Sequence, residues 1–253
     1  MRNLVNLKLV ESVPFYEREV SLDTGLESHS LHYASYYPEA TNPEVAKFLI
    51  ESYSSTGSVV LDPFCGSGTI LLEAAMQGRI AFGTDINPLA SFVASSKLAP
   101  ADIAEVALWL QVLNLKRPVD LDEYNAYFRS FYDVNTYREL VNLKNYLSFK
   151  EDRISNFIKL LAVSLLHGNS ASYFSVGTSV NTCLSPREQA DYNAKKGQSP
   201  DYRSVVPRIM KRCAQVMLDG LPASLSKSPR RKIVNGDSRN LDFVTSNSVV
   251  KEI

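Results

Sequence analysis

The chain of 253 residues has no apolar run long enough to cross a membrane; stretches such as residues 160–166 fall far short of the roughly 20 residues a spanning helix needs. Residues 1–10 carry Arg2 and Lys8 but no apolar core and no small-residue cleavage site, so no secretory signal is expected there. Cysteine is scarce. Cys65, Cys183 and Cys213 lie far apart, with no metal-ligand spacing and no even number to pair. No metal site and no disulfide framework are therefore expected, and a cytoplasmic chain with reduced thiols is. Internal repeats are also lacking. Net charge is lacking as a whole, with 27 Lys+Arg against 27 Asp+Glu, but the balance is uneven along the chain. Residues 1–182 carry a net −6, residues 183–232 a net +7 and the remainder −1. A basic stretch this local is a candidate contact for a polyanion, with a solvated loop as the alternative.

What is present is an ordinary globular composition, 45% apolar and 21% charged, at a length that suits one α/β domain or one domain with an added lobe. Residues 1–30 read as a lead-in arm. Asn42 and Pro43 begin a helix whose Val45, Phe48 and Leu49 share a face, closed by Gly57. Residues 58–62 form a short apolar run ending in Asp62, the pattern of a buried parallel strand. A turn with Gly66 and Gly68 follows, then a helix over 69–77, a second strand over 80–84 ending at Asp85, and a helix from Asn87-Pro88 to about residue 98. Strand, glycine turn, helix, strand, acid is a βαβ unit. Residues 101–182 read as mostly helical, with a buried helix over 154–167 and core aromatics over 124–137. Residues 183–230 read as a loop around one amphipathic helix, 205–218, and residues 231–235 as a third strand turning at Gly236-Asp237.

A tight glycine turn at a strand's carboxyl end lets backbone N–H groups approach a ligand closely. A Walker A loop would need Gly-Lys-Ser/Thr, and Gly68-Thr69-Ile70 has no lysine, which excludes it. A dinucleotide fingerprint would need a third glycine where Leu71 stands. Asp85 suits ribose hydroxyls in either remaining case. Asp62, just before the turn, would repel a pyrophosphate and attract an ammonium. S-adenosylmethionine has that ammonium, a sulfonium and a ribose diol.

The nine residues Leu61-Asp62-Pro63-Phe64-Cys65-Gly66-Ser67-Gly68-Thr69 resemble the cofactor motif of the amino-group DNA methyltransferases, which modify cytosine N4 or adenine N6. Gly83-Thr84-Asp85-Ile86-Asn87-Pro88 resembles their second motif, and Asn235-Gly236-Asp237-Ser238 their third. The segment from His32-Tyr33 to Pro38, with Asn42-Pro43, is similar to the one that closes over the methionine end of the cofactor. The resemblance implies S-adenosylmethionine as cofactor, held by Asp62, Pro63, Phe64, Gly66, Gly68, Thr69, Asp85 on the ribose, Ile86 against the adenine, Asp237 near the adenine amino group, and Tyr33. It implies a Rossmann-like class I methyltransferase sheet with a largely helical insertion. The expected organisation is an arm and cofactor-binding core over 1–100, a helical and basic insertion over 101–230, and a return to the sheet over 231–253. Cys65 reads as a small packed side chain within the motif, and His29 and His167 as structural.

The family's Asp/Asn/Ser-Pro-Pro-Tyr/Phe motif, which grips the target amine, is not found: the twelve prolines include no adjacent pair. Residues 245–249 resemble the lead-in to a fourth strand, which in the implied sheet lies beside the first. The expectation is therefore an incomplete sheet lacking its fourth and later strands, a truncated or split methyltransferase with no catalytic residue assigned, and a second polypeptide as a candidate partner. DNA is the expected substrate, with Lys195, Lys196, Arg203, Arg208, Lys211 and Arg212, along with Arg230 and Arg231, as phosphate contacts. RNA guanine-N2 methyltransferases share the glycine motif, but the 152 residues from Asp85 to Asp237 favour the DNA family. A non-catalytic subunit binding cofactor or DNA is the reading from another class.

Overall fold

The computed structural model describes residues 28–38, 40–179, 184–226 and 231–242. The arm before residue 28, Cys183, Arg230 and the 245–249 lead-in lie outside the described residues. A 3-10 turn, Ser30–Ala34, precedes α1 (Pro43–Tyr53), where the Asn42 side chain accepts from the Glu44 N–H and Pro43 occupies the first turn. β1 (Val59–Asp62), α2 (Thr69–Met76), β2 (Ile80–Asp85) and α3 (Pro88–Leu98) follow as the sequence predicts. β3 (Arg231–Asn235) returns to the same sheet.

The strands are parallel in the order β1-β2-β3, with Val59 opposite Ile80 and Ala81 opposite Arg231. β2 is the central strand, and its Ala81, Phe82 and Thr84 are buried. β1 borders only β2 among the described residues and stays half-covered, with Leu61 38% exposed. This open parallel sheet with helical insertions matches an incomplete Rossmann-like class I methyltransferase fold, as expected from the motifs.

Between β2 and β3 run α4 (Ile103–Gln111), a π turn (Tyr124–Phe128), α5 (Val134–Leu147), α6 (Arg153–Val163), α7 (Pro186–Lys196), α8 (Val205–Val216) and the short α9 (Ala223–Ser226). Leu71, Leu72, Leu98, Phe157, Leu160, Leu161 and Ile209 are fully buried and join the sheet layer to the insertion in one core. Tyr124 and Phe128, half-buried, pack on Tyr137 with ring centroids 5.3 and 5.4 Å away, and Phe131, Tyr132 and Tyr137 are buried as expected, but Tyr127 in the same stretch is 59% exposed.

Two elements differ from the sequence reading. α6 ends at Val163, and Leu165 is buried from an irregular turn where its carbonyl accepts from Phe174 N–H. α7 stands where a loop is predicted. Its start has a full capping box, Ser185 with Glu188, and Pro186 in the first turn. The apolar periodicity is missing because the buried face is polar: Gln189 donates to the Gly177 carbonyl and Asn193 to the Ser130 carbonyl.

Candidate cofactor site

The turn between β1 and α2 is shaped by its two glycines and tied to β2. Gly66 and Gly68 adopt φ of 47° and 77°, the left-handed region that side chains disfavour. A Cβ on Gly68 would lie 2.7 Å from Ala94 Cβ, so the missing side chain also lets α2 approach α3. Cys65 N–H donates to the Thr84 carbonyl at 3.0 Å, and Gly66 N–H to Asp85 Oδ2 at 2.8 Å. The Asp62 carboxylate accepts from Phe64 N–H, and Asp85 Oδ1 from Asn87 N–H at 2.9 Å. Each carboxylate keeps lone pairs for a ligand, since an ionised carboxyl has about four acceptor sites.

The two acids lie close enough to sense each other. Burial, with the Asp85 charge added, raises the Asp62 carboxyl above its ordinary range despite the Phe64 hydrogen bond. A ligand cation relieves that repulsion. Burial, followed by Asp62 and Asp85, pushes the Cys65 thiol up to about 12, which leaves it a neutral packed side chain. Phe64 and Ile86, both 76% exposed, stand at the ends of the neighbouring strands as apolar surfaces without protein cover.

The segment after the 3-10 turn forms the opposite wall. A hollow of about 110 Å³ is lined by Tyr37, Ala40 and Thr41 on that side and by Asp62, Gly66 and Thr69 on the other. Tyr33, the aromatic named from sequence, is 55% exposed and is not part of this lining. Tyr37 takes that place, accepting from Asn87 Nδ2 at 3.3 Å. Its signal in the sequence is the Tyr36-Tyr37 pair in the same segment. β3 reaches the site through Asn235, whose side chain donates to the Asp85 and Ile86 carbonyls. Asp237 follows it, and the Arg239 guanidinium bound to both of its oxygens holds the carboxyl down to about 2. A larger hollow of about 450 Å³ lies between α5 and α6, but its walls are mostly apolar, with Glu123, Lys144, Lys159 and His167 among them, and it borders neither strand end nor glycine turn.

The basic residues divide. Lys195 and Lys196 lie exposed at the end of α7, and Lys211 is exposed on α8. Arg203 is buried, with its guanidinium on the Ser170, Tyr173 and Ser175 carbonyls and on Asp201. Arg208 donates to the Ala171 and Ser204 carbonyls, and Arg212 to those of Tyr33 and Ala34. Arg231 donates to the Leu225 carbonyl. A phosphate would have to compete with these partners, so the set facing solvent is narrower than the charge pattern implies.

Residues 15–93, which carry the glycine turn and Asp85, match the N6/N4 methyltransferase family model, described as DNA methylase. S-adenosylmethionine is the methyl donor of that family. The chain is 27% identical over 204 residues to the Type II methyltransferase M.BsoBI of Geobacillus stearothermophilus, covering 78% of this chain and 37% of the relative. A match of that length takes in the helices that follow β2. It is 34% identical over 79 residues to the Type II methyltransferase M.MvaI of Kocuria varians, covering 30% of this chain and 17% of the relative. A tRNA (guanine(10)-N2)-dimethyltransferase of Methanothermobacter thermautotrophicus is 40% identical over 53 residues, 21% of this chain and 16% of that protein. The chain thus spans well under half the length of these relatives. No solved structure matches.

Proposed function

We propose that this chain carries the cofactor site of a cytoplasmic methyltransferase that acts on the exocyclic amino group of a base in DNA, cytosine N4 before adenine N6, in a restriction–modification role. The observation that carries the reading is the pair of acids at adjacent strand ends, Asp62 and Asp85, on either side of a turn whose glycines leave the backbone open. These residues fit S-adenosylmethionine. Asp62 would take the ammonium, Asp85 the two ribose hydroxyls, and Phe64 and Ile86 the faces of the adenine. Asp237 would accept from the adenine amino group once it exchanges Arg239 for that partner.

When bound, the cofactor would supply a methyl group: the lone pair of the base nitrogen bonds to the methyl carbon as its bond to sulfur breaks, the sulfur keeps that electron pair as a thioether, and the amine gives up one proton to water. The chain's own residues orient that methyl, and orientation supplies much of the rate in such a transfer. The grip on the target amine is proposed to come from outside residues 1–253, in a continuation of the chain or in a second polypeptide, since no adjacent proline pair occurs within them. DNA is favoured over RNA because the match to the Type II enzyme is long enough that it must reach into the insertion, whereas the 53-residue match to the tRNA enzyme is short enough to lie wholly before it. The cytosine preference rests on motif resemblance alone.

Titration of S-adenosylmethionine into the purified chain tests the cofactor reading. The expected result is binding in the micromolar range, weakened at least about tenfold in Asp85→Ala. A folded chain that binds no S-adenosylmethionine overturns it. Competition between a DNA duplex and tRNA for the same chain tests the substrate class.

A further inference from the structure

The segment that walls the hollow opposite Asp62 is held by polar contacts that lie away from the hollow itself. His32 Nε2 pairs with Glu73 Oε1 on α2 at 2.7 Å, and both side chains are more than nine-tenths buried. The His32 carbonyl accepts from Lys97 Nζ on α3, a side chain 1% exposed. Arg212 on α8 donates to the next two carbonyls, of Tyr33 and Ala34. Three consecutive carbonyls at the end of the 3-10 turn, which lack partners within the turn, thus each receive a cation from another element. Ser30 fastens the other end, with its N–H on Asp219 and its hydroxyl on the Val216 carbonyl.

Adhesion alone does not account for this arrangement. His32 Nδ1 and Arg212 Nε are buried without a partner among the described residues. Apolar side chains of similar size would hold the segment without orphaned atoms. What directional bonds add is register, and register here has a consequence. A few residues on, Tyr37 Cε1 lies 3.6 Å from where a Cβ on Gly66 would be, and Ala40 and Thr41 line the hollow.

We propose that His32, Glu73 and Arg212 are positioning residues that latch this segment across the glycine turn and so set how tightly the methionine end of the cofactor is held. The proposal rests on the cofactor reading above. It makes α8, on the basic part of the insertion, a direct support of the cofactor site.

The test is calorimetric titration of two ligands, S-adenosylmethionine and 5′-methylthioadenosine, which lacks the amino-acid end. The chain is compared with Glu73→Ala, Arg212→Met and Asp85→Ala, with thermal unfolding of each. The expected result is a loss of about tenfold in affinity for S-adenosylmethionine in Glu73→Ala and Arg212→Met, with 5′-methylthioadenosine held within about twofold. Asp85→Ala weakens both ligands. Unchanged affinity for S-adenosylmethionine in the two latch variants overturns the proposal. So does a parallel loss of both ligands, which would mean general loosening. Should Glu73→Ala fail to fold, Arg212→Met decides alone; if neither folds, the contacts belong to the fold and the latch is overturned. A wild-type chain that binds neither ligand overturns the cofactor reading itself.

Discussion

Burial and the neighbouring Asp85 both raise the Asp62 carboxyl, so the folded chain holds that proton more tightly than the unfolded chain does. The stabilisation this gives is complete below the unfolded value and is lost as pH rises through the folded one. At neutral pH the ionised carboxylate therefore weighs against the fold. Asp62→Asn keeps an acceptor for Phe64 N–H and removes the charge. The expected outcome is a higher unfolding temperature at neutral pH, worth on the order of 0.5 kcal/mol after solvent screening. Affinity for S-adenosylmethionine should fall about tenfold through loss of the ion pair with its ammonium. Calorimetry over a pH series adds a second check: wild-type affinity should decline on acidification from above the ordinary carboxylate range, while that of the Asp62→Asn variant stays flat. A variant that is both less stable and equally tight would sink this account. Cys65 gives a contrasting case at the same turn. With its thiol pushed up to about 12, it should resist iodoacetamide in the folded chain near pH 8 and react only after denaturation. Rapid modification of the native chain, located by mass spectrometry, would show the thiol is not packed away.

At the scale of elements, the glycine turn is where α2, α3 and the sheet meet, and Gly68 bears two constraints at once. Its φ of 77° disfavours any side chain, and an added Cβ would lie 2.7 Å from Ala94 Cβ and 3.0 Å from Ala94 Cα. Gly68→Ala should lower stability by about 2 kcal/mol or more in denaturant unfolding. Adding Ala94→Gly should recover only the steric part owed to the Ala94 Cβ, because the close approach to the Cα and the backbone penalty stay and the helix loses about 1 kcal/mol for its own glycine. Full recovery would show that φ carries no cost. This part of the fold is legible in sequence because its signals are local: an apolar run, two glycines, Asn caps and two strand-end acids, all between residues 42 and 88. α7 is not, because its buried face is made of Gln189 and Asn193 and shows no apolar period. Its signal is the Ser185-to-Glu188 spacing behind Pro186. Ser185→Ala should therefore cost about 1 kcal/mol in stability, a value near that of other helix N-caps. No change in unfolding would mean that α7 draws nothing from its cap.

For the whole molecule, an acidic part, residues 1–182, carries a basic segment, and the partners of its arginines decide how that segment can act. The carbonyls that take up Arg203 lie about 30 residues away in the chain, and those that take up Arg212 lie almost 180 away, so no reading of local charge reveals them. Tyr33 and Tyr37 are hard to tell apart in sequence for the same reason, since only the folded segment shows which ring faces Gly66. With Arg203, Arg208 and Arg212 bonded inside the protein, Lys195, Lys196 and Lys211 are the exposed members of the expected phosphate set among the described residues, Lys196 with its ammonium over the Tyr192 ring. Duplex binding through three phosphates should give a log–log slope of affinity against salt of about −2.7, whereas the three lysines together with Arg203, Arg208 and Arg212 would give about −5.4. Anisotropy of a labelled duplex over a KCl series measures it, and changing the three lysines to alanine should flatten the response. A slope near the larger value would mean that the arginines leave their carbonyls on DNA. Because Arg212 holds the segment that walls the cofactor hollow, DNA binding would then loosen S-adenosylmethionine, and by reciprocity the cofactor would weaken DNA to the same degree. A slope near the smaller value, with cofactor affinity unchanged by DNA, would mean that α8 supports the cofactor site while the lysines alone meet the backbone. A response flat from the outset would remove DNA contact from this segment altogether.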